Sequence, residues 1–323
     1  MFFRSREEVI ALTPLWQGKR MADGRPEVPV TVLNRLRKLT LEEVWGLPFS
    51  QGYEFQSETH LQHTHAMGNE DRLVGRAVTC TCMPLRPDLH YVATSEAREQ
   101  GFKGGYNKSA VDRLVEDDVM VVNMFDKGAY GTFFGGNLST QLKKKTVRGG
   151  AVVWGAIRDL DQIRKIDGIQ IYYRNVHPTP IRDYVMTDHN GPCRIGEAVC
   201  LPGDIVFGSN EGVTFIPSYL AEKVADRAEK RHLRDDFGFE CLREGRYSAT
   251  QIDNRWSDEM WDEFLQWLKT SSKAADYQHL DFTEDVKWMK FMRDHPEEAR
   301  RQMKGPRTKN PDAIRPEEGH YTI

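Results

Sequence analysis

One segment near the middle of the chain constrains its fold more than any other. Gly135 and Gly136 precede a stretch with helical character, and an apolar run over residues 151–157 then leads into Arg158 and Asp159. This order predicts a glycine turn that opens a helix, followed by a buried strand with a charged pair at its carboxyl end. Alternation of helices and buried strands is typical of the α/β class, which we therefore predict.

The same residues carry the groups needed to bind an anion beside a cation. Glycines at a helix start let backbone N–H groups approach an anion, and a guanidinium such as that of Arg158 can bind a carboxylate with two hydrogen bonds. The carboxylate of Asp159 is a hard oxygen ligand suited to Mg²⁺ or Mn²⁺. The segment thus predicts a pocket for a carboxylate substrate held with a divalent metal. On spacing alone, a glycine turn beside a surface Arg–Asp pair is the simpler interpretation.

The residue composition and the predicted secondary structure divide the sequence into three zones. We predict an N-terminal helical extension over residues 1–70, a core over 71–230, and a C-terminal helical extension with a tail over 231–323. Large apolar side chains at helical spacing over 256–268 predict a packing face, and the polar residues from 298 on predict a loose tail or an arm against a partner subunit. Short apolar runs in the core predict strands at 73–82, 119–123, 151–157, 169–173, 205–207 and 213–216.

Composition argues against several classes of protein. The formal net charge of −3 gives no basic surplus for binding nucleic acid. No stretch approaches the roughly 20 apolar residues that span a bilayer, and the charged N-terminus lacks the apolar core of a signal peptide. The 5 cysteines are scattered, which favours reduced thiols and a cytoplasmic protein.

Several motifs in one order resemble the RraA-like family. The two glycines at 135–136 and the run over 149–159 that ends in Arg-Asp are similar to the signature of that family. Further matches are the strand at 74–79, a Thr-Pro turn at 178–180, and the closing elements at 202–206 and 212–217. The resemblance covers about residues 30 to 245. The family includes the regulator of ribonuclease activity A, class II aldolases that cleave 4-hydroxy-4-methyl-2-oxoglutarate, and proteins labelled demethylmenaquinone methyltransferase.

The resemblance implies a fold and an activity. The implied fold is an αββα sandwich of the swivelling β/β/α type, here with extra helical N- and C-terminal segments, assembled as a homotrimer or homohexamer. The implied activity is that of a metal-dependent carbon–carbon lyase, an aldolase or oxaloacetate-type decarboxylase, which acts on a small 2-oxo acid through a pyruvate enolate. No glycine turn with dinucleotide spacing supports the methyltransferase label.

The resemblance also implies roles for individual residues. Arg158 would bind the substrate carboxylate or 2-oxo oxygen, and Asp159 would hold Mg²⁺ or Mn²⁺, which acts as a Lewis acid on the 2-oxo group. Asp235 would support the metal site of a neighbouring subunit. The carboxylate of the substrate would be bound at the glycine turn (Gly135) by the backbone amides of Gly136, Asn137 and Leu138.

Two departures leave the reaction open. Gln162 stands where the aldolases have an acid, and Trp154 stands where the family often has Asp. A hydratase or β-elimination enzyme acting on a related acid is therefore one alternative. A non-catalytic regulator that binds a protein partner is another, although the regulator of ribonuclease activity lacks an acid at the position of Asp159.

Two further motifs have open interpretations. His60, His63 and His65 form either a zinc ligand set or, more simply, a solvated loop or pocket rim. The glycines at 101–105 lack the Gly-Lys-Ser order of a phosphate loop, yet Lys103 and Lys108 could meet an anionic substrate.

Overall fold

A computed structural model of the protein describes residues 2–68, 72–102 and 104–303. The chain divides into two compact units, each with its own internal contacts. The sheet unit comprises Met1–Leu41 and Phe55–Glu222, and the helical unit comprises Glu42–Glu54 and Lys223–Ile323. The zone boundaries expected near residues 70 and 230 stay a prediction.

The sheet unit contains every strand found in the described ranges. The strands are β1 Ser57–Glu58, β2 Gln62–His63, β3 Leu73–Pro84, β4 Asp118–Phe134, β5 Gly150–Ile157, β6 Gln170–Val176, β7 Tyr184–His189, β8 Cys193–Ile195, β9 Ala198–Cys200, β10 Ile205–Ser209 and β11 Gly212–Ile216. The six predicted strands correspond to β3, β4, β5, β6, β10 and β11, so these predictions are confirmed.

The sheet is mixed, with a parallel centre. Its order is β1-β11-β10-β3-β4-β5-β6-β2, and β7 pairs with the carboxyl-terminal part of β3, from Cys80 to Pro84. Neighbours from β3 to β6 run parallel, with Val121 paired to Val152 across β4 and β5. Near-continuous apolar runs are typical of parallel strands that are covered on both faces. The carboxyl ends of β3, β4, β5 and β6 therefore lie at one edge of the sheet.

Helices connect and follow these strands. They are α1 Arg6–Leu12, α2 Val30–Leu36, α3 Leu41–Ser50, α4 Pro87–Glu99, α5 Tyr106–Asp112, α6 Gly136–Thr146, α7 Leu160–Ile163, α8 Ala221–Glu244, α9 Ala249–Asp253, α10 Asp258–Thr270, α11 Thr283–Asp294 and α12 Pro296–Met303, with 3₁₀ turns at Ser218–Leu220 and Ser272–Tyr277.

Both faces of the sheet are buried, but against different partners. Met120 and Val122 of β4 belong to a core that includes Leu142 of α6. The alternate residues of β4 belong to a second core with the β8–β9 hairpin, to which Ala198 contributes. Helices thus cover one face and a small hairpin covers the other, and the α/β prediction is confirmed.

The helical unit is built around aromatic side chains. Trp261, Phe264 and Trp267 of α10 are buried against Phe237 of α8, so the predicted packing face is confirmed. Within the same unit, Nδ1 of His232 on α8 lies 2.9 Å from Oε1 of the buried Glu43. The segment Glu42–Glu54 is thereby fixed to a helix that follows much later in the chain. Of the predicted loose tail, residues up to 303 belong to α12 and residues 304–323 lie outside the described part.

Two polar groups are buried inside the sheet unit. The guanidinium of Arg25 donates to both carboxylate oxygens of Asp118, at 2.8 and 3.1 Å, and its Nε donates to Asp23 at 2.7 Å. His189 lies beside the rings of Phe3 and Phe102, and burial lowers the pKa of its imidazole to about 4, with added repulsion from nearby arginines. All 5 cysteines are buried and free. No helix among the described residues is long and apolar enough to cross a bilayer.

Candidate active site

The predicted site residues meet at the carboxyl ends of β4 and β5. β4 ends at Phe134, and Gly135 leads into α6. β5 ends at Ile157, and Arg158 and Asp159 lead into the short α7. The backbone N–H of Arg158 donates to the carbonyl of Phe134 at 2.9 Å, which fixes the two strand ends together.

Asp159 is oriented by its own backbone and by the first turn of α6. Its φ and ψ of 56° and 36° lie in the left-handed region, which Asp adopts more readily than most residues. In this conformation Oδ2 accepts a hydrogen bond from the Gly136 N–H at 3.1 Å. The carboxylate thus lies at the positive end of the α6 dipole, where a negative charge is stabilised.

Gly135 makes this close approach possible. A Cβ at this position would lie 2.7 Å from Oδ2 of Asp159 and 2.8 Å from Nε of Arg158. Its φ of −137° and ψ of −177° are accessible to any residue, so the requirement for glycine is one of space rather than of backbone conformation.

Arg158 lies beside Asp159, and its guanidinium keeps donors that Asp159 does not use. Its Nε lies 3.6 Å from Oδ2 of Asp159, and the two side chains are 41% and 34% exposed. Within the described part of the chain, neither Nη of Arg158 has a hydrogen-bond acceptor. A half-exposed guanidinium of this kind can still form two parallel hydrogen bonds to a carboxylate ligand.

The amides of the first turn of α6 divide into two groups. The Gly136 amide donates to Asp159, whereas the N–H groups of Asn137 and Leu138 have no carbonyl acceptor within the helix. Asn137 is exposed and Leu138 is half-buried. In this structure, therefore, Asn137 and Leu138 provide the free donors for an anion.

A residue that the sequence reasoning missed lies next to Arg158. The backbone N–H of His177, which follows β6, donates to the carbonyl of Ile157 at 3.0 Å, and its Nδ1 lies 3.0 Å from Oγ1 of Thr179. The half-buried imidazole therefore lies at the same edge of the sheet. His177 directly precedes the Thr-Pro turn, and this position in the sequence could have identified it as a candidate site residue.

A pocket of about 870 Å³ opens at the same edge, after the end of β3. Asn107 lines it and donates from Nδ2 to the carbonyl of Phe133, near the end of β4, at 3.1 Å. Lys108 lines the pocket as well, whereas Lys103 lies outside the described residues. The other charged or aromatic side chains in its wall include His90, Arg98, Tyr106, Arg182 and Tyr184.

The residues present fit a hard divalent cation. Asp159 is half-exposed, its Oδ2 is held by the Gly136 amide, and Oδ1 has no protein partner among the described residues. No group of three or more His, Cys, Asp or Glu side chains in the described ranges could hold a metal. A single carboxylate suits Mg²⁺ or Mn²⁺, which keep several waters, and does not suit a structural zinc site.

The remaining predicted residues lie apart from this edge or outside the sheet unit. His60, His63 and His65 have different partners: Oε1 of Glu58, the carbonyl of His65, and Thr64 with Arg164, respectively. Asp235 belongs to α8 of the helical unit, where burial raises the pKa of its carboxyl while Arg231, 3.7 Å away, opposes that shift. Its role in a neighbouring subunit stays a prediction.

Comparison with known proteins agrees with this arrangement. A family model described as RraA-like, Aldolase/RraA, matches residues 50–215, about half of the chain. The chain belongs to the RraA-like family. The predicted family is thereby confirmed, and the matched residues include the whole edge that carries Arg158 and Asp159.

One protein similar to this RraA-like chain has a name that refers to an aldolase. A protein from Halalkalibacterium halodurans named "Putative 4-hydroxy-4-methyl-2-oxoglutarate aldolase" is 27% identical over 162 residues, which cover 49% of this chain and 75% of that protein.

Solved structures show the fold of this RraA-like chain. An uncharacterized protein from Pseudomonas syringae is 18% identical with a TM-score of 0.57, covering 70% of this chain and 94% of its own. Streptomyces coelicolor RraAS2, described as an unusual member of the RNase ES inhibitor RraA protein family, is 20% identical with a TM-score of 0.52, covering 66% and 96%.

Proposed function

We propose that this protein is a divalent-metal-dependent carbon–carbon lyase, an aldolase or decarboxylase that acts on a small 2-oxo acid. The observation that carries the proposal is the contact between Oδ2 of Asp159 and the Gly136 amide at 3.1 Å, with the Arg158 guanidinium beside it. This contact leaves one carboxylate oxygen, one guanidinium and two helix amides available for a ligand at the same strand ends. The name of the Halalkalibacterium relative supports the same reaction class.

Each group has a separate task in the proposed reaction. Arg158 binds the substrate carboxylate through its two Nη groups, and the amides of Asn137 and Leu138 add hydrogen bonds to the same end of the substrate. Asp159 would hold Mg²⁺ or Mn²⁺ through Oδ1. When bound, such an ion supplies Lewis-acid polarisation of the 2-oxo group.

The distal half of the substrate would enter the 870 Å³ pocket. The described lining residues carry Arg98, Lys108 and Arg182 against the carboxylate of Asp183, which lies 3.2 Å from Arg182. This balance favours a distal half that carries a negative charge. We therefore expect a dicarboxylic 2-oxo acid rather than one whose distal half is uncharged.

The test is release of pyruvate from a panel of 4-hydroxy-2-oxo acids and oxaloacetate, with Mg²⁺, with Mn²⁺ and with EDTA. We expect metal-dependent turnover that falls by at least about a hundredfold in Asp159→Asn, because the metal ligand and the charge on the α6 terminus are both lost. Asp161→Asn is the matched control, since Asp161 is an exposed carboxylate in the next helical turn.

Binding of Mn²⁺, followed by electron paramagnetic resonance, separates the alternatives. Turnover that is equal in Asp159→Asn and in the unaltered protein would refute the assigned site. Absence of both turnover and Mn²⁺ binding would refute the lyase and favour a regulator that binds a protein partner.

A further inference from the structure

A second pocket, of about 330 Å³, lies at the opposite edge of the sheet, where the parallel strands begin. Leu73 at the start of β3, Gly149 directly before β5 and Gln170 at the start of β6 line it. A strand advances about 3.3 Å per residue, so the eight residues of β5 place this pocket on the order of 25 Å from Arg158. The two sites are therefore separate.

Three guanidinium groups converge on this pocket, which we call the arginine pocket. Arg37, Arg72 and Arg148 all line it, together with His65 and Asp167, the one carboxylate among the lining residues that the structure describes. Cations thus outnumber carboxylates in the wall.

Arg37 is the buried member of the group. Its side chain is only 14% exposed, and Nη2 donates to Asp117 at 2.9 Å and to the carbonyl of Val74 at 2.7 Å. Burial lowers the pKa of Arg37, Asp117 opposes that shift, and Arg148 adds repulsion. The carboxylate of Asp117 thus lies behind the pocket, in contact with Arg37 and 3.7 Å from Arg148.

Arg72 and Arg148 keep unused donors. Arg72 donates from Nε to the carbonyl of Leu39 and from Nη1 to that of Gly68, at 3.1 and 3.0 Å, and its Nη2 has no acceptor in the described ranges. Arg148 is 47% exposed, and its polar contacts to described residues are long, 3.4 Å to Asn34 and 3.7 Å to Asp117. Both groups can turn donors toward a ligand without breaking a strong bond.

We propose that the arginine pocket binds a small, multiply charged oxyanion, either a phosphate group or a di- or tricarboxylate. Guanidinium groups recognise both through paired hydrogen bonds. A volume of 330 Å³ equals that of about ten water molecules, which is room for an anion with a small organic part. This binding site goes beyond the proposed lyase activity and does not depend on it.

The test is calorimetric titration of the full chain with inorganic phosphate and, separately, with citrate, at constant ionic strength in sodium chloride. We expect Arg148→Gln to weaken binding by at least about tenfold, since one charge-assisted pair of hydrogen bonds is lost. Arg148 is half-exposed and weakly paired, so the fold should tolerate this change. Arg86→Gln is the matched control, because Arg86 is 75% exposed and pairs with Asp88 outside the pocket.

Two further variants make the outcome decisive. Arg72→Gln should also weaken binding, whereas Asp159→Asn should leave it unchanged, because Asp159 lies at the other edge of the sheet. Binding of phosphate alone would identify a phosphorylated ligand, and binding of citrate alone would identify a polycarboxylate. Absence of binding for both anions would overturn the proposal. So would affinities in Arg148→Gln and Arg72→Gln that equal the affinity of the unaltered protein.

Discussion

Replacement of Gly135 by alanine tests the packing of the candidate active site in the most direct way. The new Cβ would lie 2.7 Å from Oδ2 of Asp159 and 2.8 Å from Nε of Arg158, whereas ordinary contacts between such atoms begin near 3.4 Å. Both side chains would therefore have to move by about 0.5–1 Å. The backbone at Gly135 is extended and accepts alanine without strain, so the effect is confined to these contacts.

The expected loss follows from that displacement. A shift of this size breaks the bond between Asp159 and the Gly136 amide and moves Arg158, and misplacement by 1 Å typically costs about a hundredfold in rate. We expect kcat/KM for pyruvate release to fall by about two orders of magnitude. The free energy of unfolding should fall by about 1–3 kcal/mol, the value of one hydrogen bond to a charged group.

The assay compares Gly135→Ala with Gly128→Ala. Gly128 lies in β4, and a Cβ there meets no atom within 4 Å, so this control should retain the turnover of the unaltered protein. Weaker Mn²⁺ binding should accompany the loss of turnover in Gly135→Ala, because Asp159 is displaced. Full turnover and unchanged Mn²⁺ affinity in Gly135→Ala would show that the proposed geometry is not the reactive one.

Two predictions concern stability. His189 has a pKa of about 4 in the folded protein, below its unfolded value of about 6.5, so the unfolded chain binds more protons between these pH values. The contribution of His189 to the free energy of unfolding should therefore fall by about 2 kcal/mol from pH 7 to pH 5. Asp204, whose pKa burial raises to about 7, changes stability in the opposite direction over this range, so the measurement is the difference between the unaltered protein and His189→Gln in urea unfolding curves at the two pH values. An equal difference at both pH values would contradict this prediction. Arg25→Met leaves the buried Asp118 without its cation and should lower the free energy of unfolding by about 3–5 kcal/mol. The double variant with Asp118→Leu should regain part of this loss. Equal stability of the single and double variants would refute the pairing.

Much of the fold followed from local sequence patterns. Strands β3, β5, β10 and β11 were predictable because parallel or fully buried strands require apolar runs, and the chain provides them between turn residues. β7 was missed because Tyr184–His189 mixes polar and apolar side chains and pairs only with the outer part of β3. The last part of β4 was missed because its register with β5 shifts repeatedly, which no periodic pattern reports.

The candidate site was predictable in its residue types but not in its contacts. The motif placed Arg158 and Asp159 at a strand end, yet the left-handed backbone of Asp159 and its bond to Gly136 depend on the alignment of two strands that are separated by a helix. The arginine pocket could not be predicted from the sequence for the same reason. Arg37, Arg72 and Arg148 are far apart in the chain and converge only in the folded sheet unit.

The division of the helical unit into two chain segments sets the order in which it can form during synthesis. Glu42–Glu54 leaves the ribosome early, but the rest of its unit begins only at Lys223, roughly 170 residues later. At about 5–20 residues per second, that delay is on the order of ten to thirty seconds. During this time the segment is without α8, whose His232 lies 2.9 Å from Glu43 in the folded protein. The contact between the two parts of the helical unit can therefore form only late in synthesis.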